Sequence, residues 1–144
     1  MVFQKLAVNT ENEVLDYKVR PIPVDHTVEA AALVVCDGNS AVAYSGDTGP
    51  TDALWRALAD LPDLRALVME VAVPNEQQKL ARDSGHHTPQ SLERELKKLG
   101  AAHRDLPVML FHIKPVFQRT VERELAKIRA RNNTILQIGD EYVL

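Results

Sequence analysis

Residues 31–50, AALVVCDGNSAVAYSGDTGP, contain two apolar runs and a polar, glycine-rich loop, and they decide the fold. The runs at 31–35 and 41–44 are separated by Asp-Gly-Asn at 37–39, a turn sequence that predicts a β-hairpin. Asp47 comes just after the second run, in a loop that leads toward a predicted helix. The stretch therefore predicts an antiparallel start to a sheet, with a carboxylate just beyond a strand end.

The segments downstream of the hairpin alternate between helix and strand patterns. Apolar residues at helical spacing predict helices over 51–60, 88–100 and 116–131. Apolar runs predict buried strands over 64–71 and 107–111, and a closing strand pair over 134–138 and 141–143 around Gly139 and Asp140. Residues 75–87 are the longest stretch without clear periodicity, and no element is assigned to them.

The upstream segment, residues 17–24, alternates like a strand but contains Pro21 and Pro23. Because proline has no N–H to donate, these residues predict an edge or irregular strand. Strands first, and alternating helices and strands afterwards, favour an α/β fold in which helices cover a mixed sheet. With 144 residues and no repeat or linker, the chain is expected to form a single domain over 1–144.

Composition and charge exclude several classes of protein. The 17 Lys+Arg and 20 Asp+Glu residues give a formal charge of −3, without the basic patch that binding to a nucleic-acid backbone requires. A small anionic substrate remains compatible with this charge. Cys36 is the chain's single cysteine, so no internal disulfide requires an oxidising compartment, and a cytoplasmic location is expected. No apolar run approaches the ~20 residues of a membrane span, so no membrane partner is expected.

Three side chains that can bind metal stand at predicted strand ends. Asp47 follows the second strand of the hairpin, His112 follows the strand at 107–111, and His26 follows the proline-containing strand. Ligand sites in α/β sheets collect at strand ends, and imidazole with carboxylate is the ligand chemistry of a zinc-type centre. The alternatives are a turn aspartate and two structural histidines. Taken together, the three residues favour a metal centre.

The segment SGHHTP at 84–89 contains adjacent histidines in a loop that enters a helix. Neighbouring side chains point in different directions, so one of His86 and His87 is expected to face a site as a general acid or an anion clamp. The alternative is a solvated turn residue. We expect His103, in a connecting loop, at the surface. Glu70, at the end of a strand, either supports a ligand or caps the turn that follows.

Five segments occur in the same order and at similar spacing in a known group of hydrolases: VDHTVEAAALVV, YSGDTGPTDALW, VMEVAVPNEQQ, SGHHTPQSL and FHIKP. Through them, residues 17–143 resemble the C-terminal half of a metallo-β-lactamase-fold hydrolase, an αββα sandwich. More narrowly, the chain resembles class II 3′,5′-cyclic-nucleotide phosphodiesterases, and ribonuclease Z is also similar. The resemblance implies a metal-dependent phosphodiester hydrolase acting on a cyclic nucleotide such as cAMP, with ribonuclease Z-like RNA processing as an alternative.

The resemblance also implies a role for each candidate residue. His26 binds one of two divalent metal ions, Asp47 bridges both, and His112 binds the other. Zinc is the expected metal, with manganese as the alternative. His86 assists the phosphate chemistry by stabilising developing charge or by protonating the leaving oxygen. Lys114 adds positive charge for the substrate phosphate, unless it is only a solvated side chain.

The resemblance has a gap at its N-terminal side. The H-x-H-x-D-H motif, which in this group supplies the other metal ligands and the acid/base aspartate, does not occur in the sequence. The chain is therefore expected to be a half-domain without the N-terminal half. Two hypotheses stay open: a phosphodiesterase half that the missing half completes, or a non-catalytic half-domain that forms a homodimer through exposed apolar surface.

Overall fold

The computed structural model describes residues 3–59, 61–128 and 132–143. Within them the chain forms a sheet of seven strands whose spatial order follows the chain. The strands are β1 (Asn12–Val14), β2 (Tyr17–Pro23), β3 (Ala31–Cys36), β4 (Ala41–Tyr44), β5 (Leu64–Glu70), β6 (Val108–Phe111) and β7 (Asn133–Ile135). Strands β1 to β4 pair antiparallel, whereas β4 to β7 pair parallel. The predicted mixed α/β sheet is confirmed.

The helices of the described residues connect the parallel strands. Helix α1 (Asp52–Ala59) joins β4 to β5, α2 (Gln78–Ser84) and α3 (Pro89–Leu96) join β5 to β6, and α4 (Gln118–Leu125) joins β6 to β7. Short 3-10 helices cover Asn75–Gln77, Ala101–His103 and Pro115–Phe117. Parallel strands need such crossover connections, which explains why the helical segments follow the hairpin rather than precede it.

The predicted hairpin of β3 and β4 is confirmed. Leu33 lies opposite Tyr44 in its register. In the turn, the Asp37 carboxylate accepts the backbone N–H groups of Asn39 at 2.9 Å and Ser40 at 2.8 Å. These two bonds lower the pKa of Asp37. The side chain of Asp37 thus closes the turn, as expected for aspartate beside glycine.

Strand β2 differs from the predicted edge strand over part of its length. Its first residues, as far as Val19, pair with β1 as well as with β3, so the edge prediction is wrong there. Pro21 and Pro23 lie beyond the end of β1. Val24 N–H points toward the β3 side, where it donates to Ala30 O. Successive backbone nitrogens of a strand point to alternate sides, so the nitrogens of Pro21 and Pro23 face away from β3. The prolines therefore interrupt no hydrogen bond of the β2–β3 ladder.

Several predicted helix boundaries are corrected by the structure. Helix α2 lies in the segment 75–87, where the sequence predicted no element. Helix α3 ends at Leu96 rather than at Gly100, because the next backbone amides bond to carbonyls three residues back instead of four. Helix α4 covers only part of the predicted segment 116–131, of which residues 129–131 lie outside the described residues, as does Asp60.

The predicted strand pair at the end of the chain is wrong. Strand β7 pairs in parallel with β6, and residues 136–143 form no strand. Gly139, at a φ of 93°, belongs to a turn in which Asp140 N–H donates to Gln137 O at 3.3 Å. The predicted turn is therefore present. The strand before it pairs with β6 instead, because there Ile135 packs against the main core, a contact that a terminal hairpin would not give it.

The two faces of the sheet differ in their burial. One face, the covered face, packs against α1, α3 and α4 with the side chains of Ala32, Val34, Ala43, Leu67, Met69, Val108 and Leu110. The register places residues of the other parity on the opposite face, the open face, where apolar side chains remain partly exposed: Leu33, Val35, Val42, Tyr44, Val68 and Phe111. None of the helices in the described ranges has the length and apolarity to cross a membrane.

Candidate functional site

Four of the five predicted site residues meet at one edge of the sheet. Strand β2 runs in the same direction as β4, β5 and β6, so the carboxyl ends of these strands share an edge. His26 follows β2, Asp47 follows β4, His112 follows β6, and His86 lies between α2 and α3. The centroid of the His86 ring lies 5.0 Å from that of His26 and 4.9 Å from that of His112. Asp47 Oδ1 is 3.4 Å from His112 Nδ1.

The residues His26, Asp47 and His86 come close to the dimensions of a metal-binding group. Each offers one ligand atom, and these atoms all lie within 4.8 Å of one another. A zinc ion lies about 2.0–2.2 Å from nitrogen and oxygen ligands, so two ligand atoms on one ion are at most about 4.4 Å apart. The group therefore has nearly the dimensions of a ligand set, and its atoms are of the type that zinc binds. His112 adjoins this group through its contact with Asp47.

The backbone determines which nitrogen of His26 is available to a metal. His26 Nδ1 lies 2.9 Å from Gly85 O, and because a carbonyl oxygen only accepts, Nδ1 carries the hydrogen and donates it. Nε2 then keeps its lone pair. Histidine ligands are usually oriented by such a second hydrogen bond, so the contact with Gly85 prepares His26 for a metal.

Two glycines allow the loops of the site to approach closely. Gly85 has a φ of 65°, and a Cβ there would stand 2.9 Å from both Cα and Nδ1 of His26. Gly46 has a φ of 60°, and a Cβ there would stand 2.9 Å from Ala31 O. A residue with a side chain fits neither position without displacing its neighbour. Our sequence reasoning missed the role of Gly85, although its place directly before the paired histidines was a signal.

His112 has an unusual backbone conformation at the end of β6. Its φ is 68°, in the left-handed region that residues with side chains rarely adopt. Residues held in such conformations concentrate at functional sites, at a cost of about 1–3 kcal/mol each. Burial is the largest cause that lowers the pKa of His112; Asp47 opposes this shift, and nearby positive charges such as Lys114 add to it. A lowered pKa favours the neutral imidazole, which is the form that binds metal.

Glu70 lies fully buried behind the histidines. Its Oε1 accepts the backbone N–H of His87 at 2.8 Å and lies 3.5 Å from His86 Nδ1. Burial raises the pKa of Glu70, while the contact with His86 and the N–H of His87 oppose the shift. Of the two roles that the sequence left open, these contacts favour support of the site, because Glu70 holds the His86–His87 segment in place.

The two adjacent histidines face different ways, as predicted. His86 faces the site and is only 8% exposed, so the alternative of a solvated turn residue is wrong. His87 points into the protein, where its Nδ1 lies 3.0 Å from Ser91 Oγ, and burial lowers its pKa to about 4. His103, predicted at the surface, is 6% exposed; that prediction is wrong because its 3-10 helix turns the side chain inward.

Lys114 is placed two residues beyond His112, at the same edge of the sheet. Its backbone N–H donates to Ala72 O at 3.0 Å, which fixes the chain there. The side chain is partly buried, and its charge reaches His112. Among the described residues, no hydrogen bond or ion pair holds its ammonium group, so its role in the site stays a prediction.

Comparison with known proteins shows that the chain is similar to a group of hydrolases. No protein-family model matches the chain. A protein of Yersinia pestis named probable 3′,5′-cyclic-nucleotide phosphodiesterase is 37% identical over an alignment of 117 positions, and the match covers 67% of this chain and 33% of the relative. The resemblance stated from the five sequence segments is thereby confirmed. The chain spans about a third of this relative's length.

Solved structures share the fold. YhfI from Bacillus subtilis, a metallo-β-lactamase fold protein, matches 92% of this chain and 52% of its own length, with a TM-score of 0.72 at 17% identity. The chain has the fold of part of a metallo-β-lactamase fold protein. Zinc-bound PqqB from Methylobacterium extorquens matches 93% of this chain and 50% of its own, with a TM-score of 0.60 at 18% identity. The chain thus spans about half the length of both structures.

Proposed function

We propose that this chain supplies part of the active site of a metal-dependent phosphodiester hydrolase whose substrate is a 3′,5′-cyclic nucleotide such as cAMP. The observation that carries the proposal is the meeting of His26, Asp47, His86 and His112 at the carboxyl edge of the sheet. Similarity to the Yersinia pestis relative supports the substrate class. The net charge of −3 favours a small anionic substrate over the RNA of a ribonuclease Z-like reaction.

The edge residues would bind two divalent metal ions. We assign His26 to one ion and His112 to the other, with Asp47 as the bridge. The position of Asp47 supports this role, because it belongs to the group with His26 and also contacts His112. Bound metal ions would polarise a phosphoryl oxygen of the substrate. The nitrogen and oxygen donors, together with the zinc in the PqqB structure, favour zinc over manganese.

His86 belongs to the same group of possible ligands as His26 and Asp47, but we propose it as the catalytic residue of this chain rather than as a metal ligand. Its ring stacks on His112 at an interplanar angle of 27°, and Glu70 holds it from behind. In that position the imidazole would donate a hydrogen bond to charge that develops on the phosphoryl group, or a proton to the leaving oxygen. Lys114 would add positive charge for the phosphate beside His112.

The site needs further protein for catalysis, whereas we expect the residues of this chain to hold metal by themselves. The chain spans 33% of the Yersinia pestis relative, and its open face leaves apolar side chains partly exposed. We propose that a missing N-terminal half packs on this side of the molecule. The same open face favours the second candidate function, a non-catalytic half-domain that forms a homodimer. For either candidate we propose a cytoplasmic location, in line with the free thiol of Cys36.

The test of the function is a chimera in which residues 17–143 replace the aligned part of the Yersinia pestis relative. We expect the chimera to hydrolyse cAMP when the unaltered relative does. His86→Gln and Asp47→Asn should each lower kcat/KM by roughly 100-fold or more. Asp63→Asn, at an exposed position away from the edge, is the matched control.

Two results would contradict the proposal. One is a folded but inactive chimera beside an active relative. The other comes from light scattering and metal analysis of this chain by itself: a homodimer that retains no metal would favour the non-catalytic half-domain.

A further inference from the structure

A small cavity opens beside His86, between α2 and α3. Its volume is about 110 Å³, and its polar lining consists of Gln78, Arg82, His86, Thr88, Ser91 and Arg94. His86 therefore borders both this cavity and the metal-binding edge. The sequence does not predict that Arg82 and Arg94 line one cavity, because they stand on two different helices and only the fold determines how these helices lie.

The cavity carries positive charge that no neighbouring acid neutralises. The guanidinium groups of Arg82 and Arg94, both on exposed side chains, form no hydrogen bond or ion pair within the described ranges. The acidic residues of α2 and α3 are paired with lysines instead: Asp83 with Lys79, Glu93 with Lys97 at 3.6 Å, and Glu95 with Lys98 at 2.8 Å. No carboxylate belongs to the lining. In a chain of net charge −3, two arginines thus remain free to bind an anion.

We propose that this arginine cavity binds a phosphate group. Guanidinium groups match phosphate oxygens through paired, charge-assisted hydrogen bonds. The size agrees as well. The cavity of about 110 Å³ is somewhat smaller than a cavity of about 150 Å³ that admits benzene, and a phosphate group is smaller than benzene. Gln78 adds an amide to the lining, and the buried Thr88 and Ser91 line it as well, with their side chains held by the capping bonds of α3.

Two sources could supply this phosphate: a second phosphate group on the substrate, or free inorganic phosphate. A ligand in the cavity lies directly beside His86, so a substrate with two phosphates would place one at the metal edge and the other here. The first source rests on the proposed function, whereas phosphate binding itself does not.

The experiment is a titration of this chain, kept free of metal, with inorganic phosphate while the backbone amide signals are followed by NMR. We expect saturable shifts in α2 and α3. Arg82→Gln and Arg94→Gln should each weaken binding by about tenfold or more. Arg94→Lys should bind phosphate more tightly than Arg94→Gln but less tightly than the unaltered chain. Lysine keeps the positive charge but lacks the paired N–H donors of the guanidinium group. Arg104→Gln, an exposed arginine outside the cavity, is the matched control and should change nothing.

Two further ligands distinguish the sources. If adenosine 3′,5′-bisphosphate binds more tightly than cAMP and loses this advantage in Arg82→Gln, the substrate supplies the phosphate. If only inorganic phosphate depends on the arginines, the source is free phosphate. Phosphate binding that is absent, or that is unchanged in both arginine variants, overturns the proposal.

The variant Asp47→Asn separates this proposal from the proposed function. Metal binding should fail in that variant while phosphate binding in the cavity persists. A chain that binds phosphate through the arginines but binds no metal would keep the cavity and overturn the metal-dependent function.

Discussion

The covered face of the sheet and its carboxyl edge are built from opposite kinds of side chain. On the covered face the fully buried side chains are apolar, as Leu67 and Leu110 show. At the edge, Glu70 and His87 are also buried, yet Glu70 Oε2 and His87 Nε2 have no hydrogen-bond partner among the described residues. Such an atom costs about 1–3 kcal/mol. Buried side chains on the covered face therefore raise the free energy of unfolding, whereas the buried unpaired polar atoms at the edge lower it.

The largest expected effect lies on the covered face. Leu110→Ala removes a fully buried side chain and should lower the free energy of unfolding by about 2–5 kcal/mol in urea denaturation. Val68→Ala, on the partly exposed open face, is the control and should cost about 1 kcal/mol or less. Equal losses in the two variants would remove the distinction between the faces.

At the edge, the comparison predicts a pH effect from His87. Burial lowers the pKa of its imidazole from an ordinary 6.5 to about 4. Between these values the unfolded chain binds a proton that the folded chain does not. Stability from this residue is therefore present above pH 6.5 and is lost as the pH falls toward 4. Because one pKa unit corresponds to about 1.4 kcal/mol, the loss should be about 3 kcal/mol.

The control for this effect is His87→Gln, which cannot titrate. Urea unfolding of both proteins at several values between pH 7 and pH 4 measures the difference, so that contributions from the carboxylates cancel. If the two proteins lose stability in parallel over this range, His87 is not the titrating group.

A smaller effect on stability separates two glycines. Gly38 and Gly85 both have positive φ, but only Gly85 would bring a Cβ against His26. Gly38→Ala should cost about 1–2 kcal/mol from backbone strain alone and leave metal affinity unchanged. Gly85→Ala should cost more than that and also displace His26, weakening metal binding roughly 10- to 100-fold. Calorimetric titration with zinc checks both; equal affinities would contradict the role of Gly85.

Much of this architecture follows from local sequence. The turn at 37–39 predicts the hairpin, and the rule that sites collect at strand ends predicts that Asp47 and His112 approach each other. The same rule places His26 beside them, and the resemblance then selects His86 over His87. These predictions succeed because each depends on one short segment and on the direction of its strand.

The remainder depends on packing between distant segments. Helix α2 has little apolar periodicity, since Ala81 is its single buried residue among those described. His103 is buried by a 3-10 turn, and the sequence of the connecting loop contains no pattern that predicts this turn. The pairing of β7 with β6, and the cavity that Arg82 and Arg94 both line, arise from the assembled sheet and helices.

The claim that unites the account is that the carboxyl edge binds a divalent metal ion through Asp47. The most direct measurement is elemental analysis of this chain after zinc loading and desalting, beside Asp47→Asn and the control Asp63→Asn. We predict about one or two zinc ions per chain in the unaltered protein and in the control, and a loss of metal in Asp47→Asn. A metal-free unaltered chain, or equal zinc in all three proteins, would contradict it.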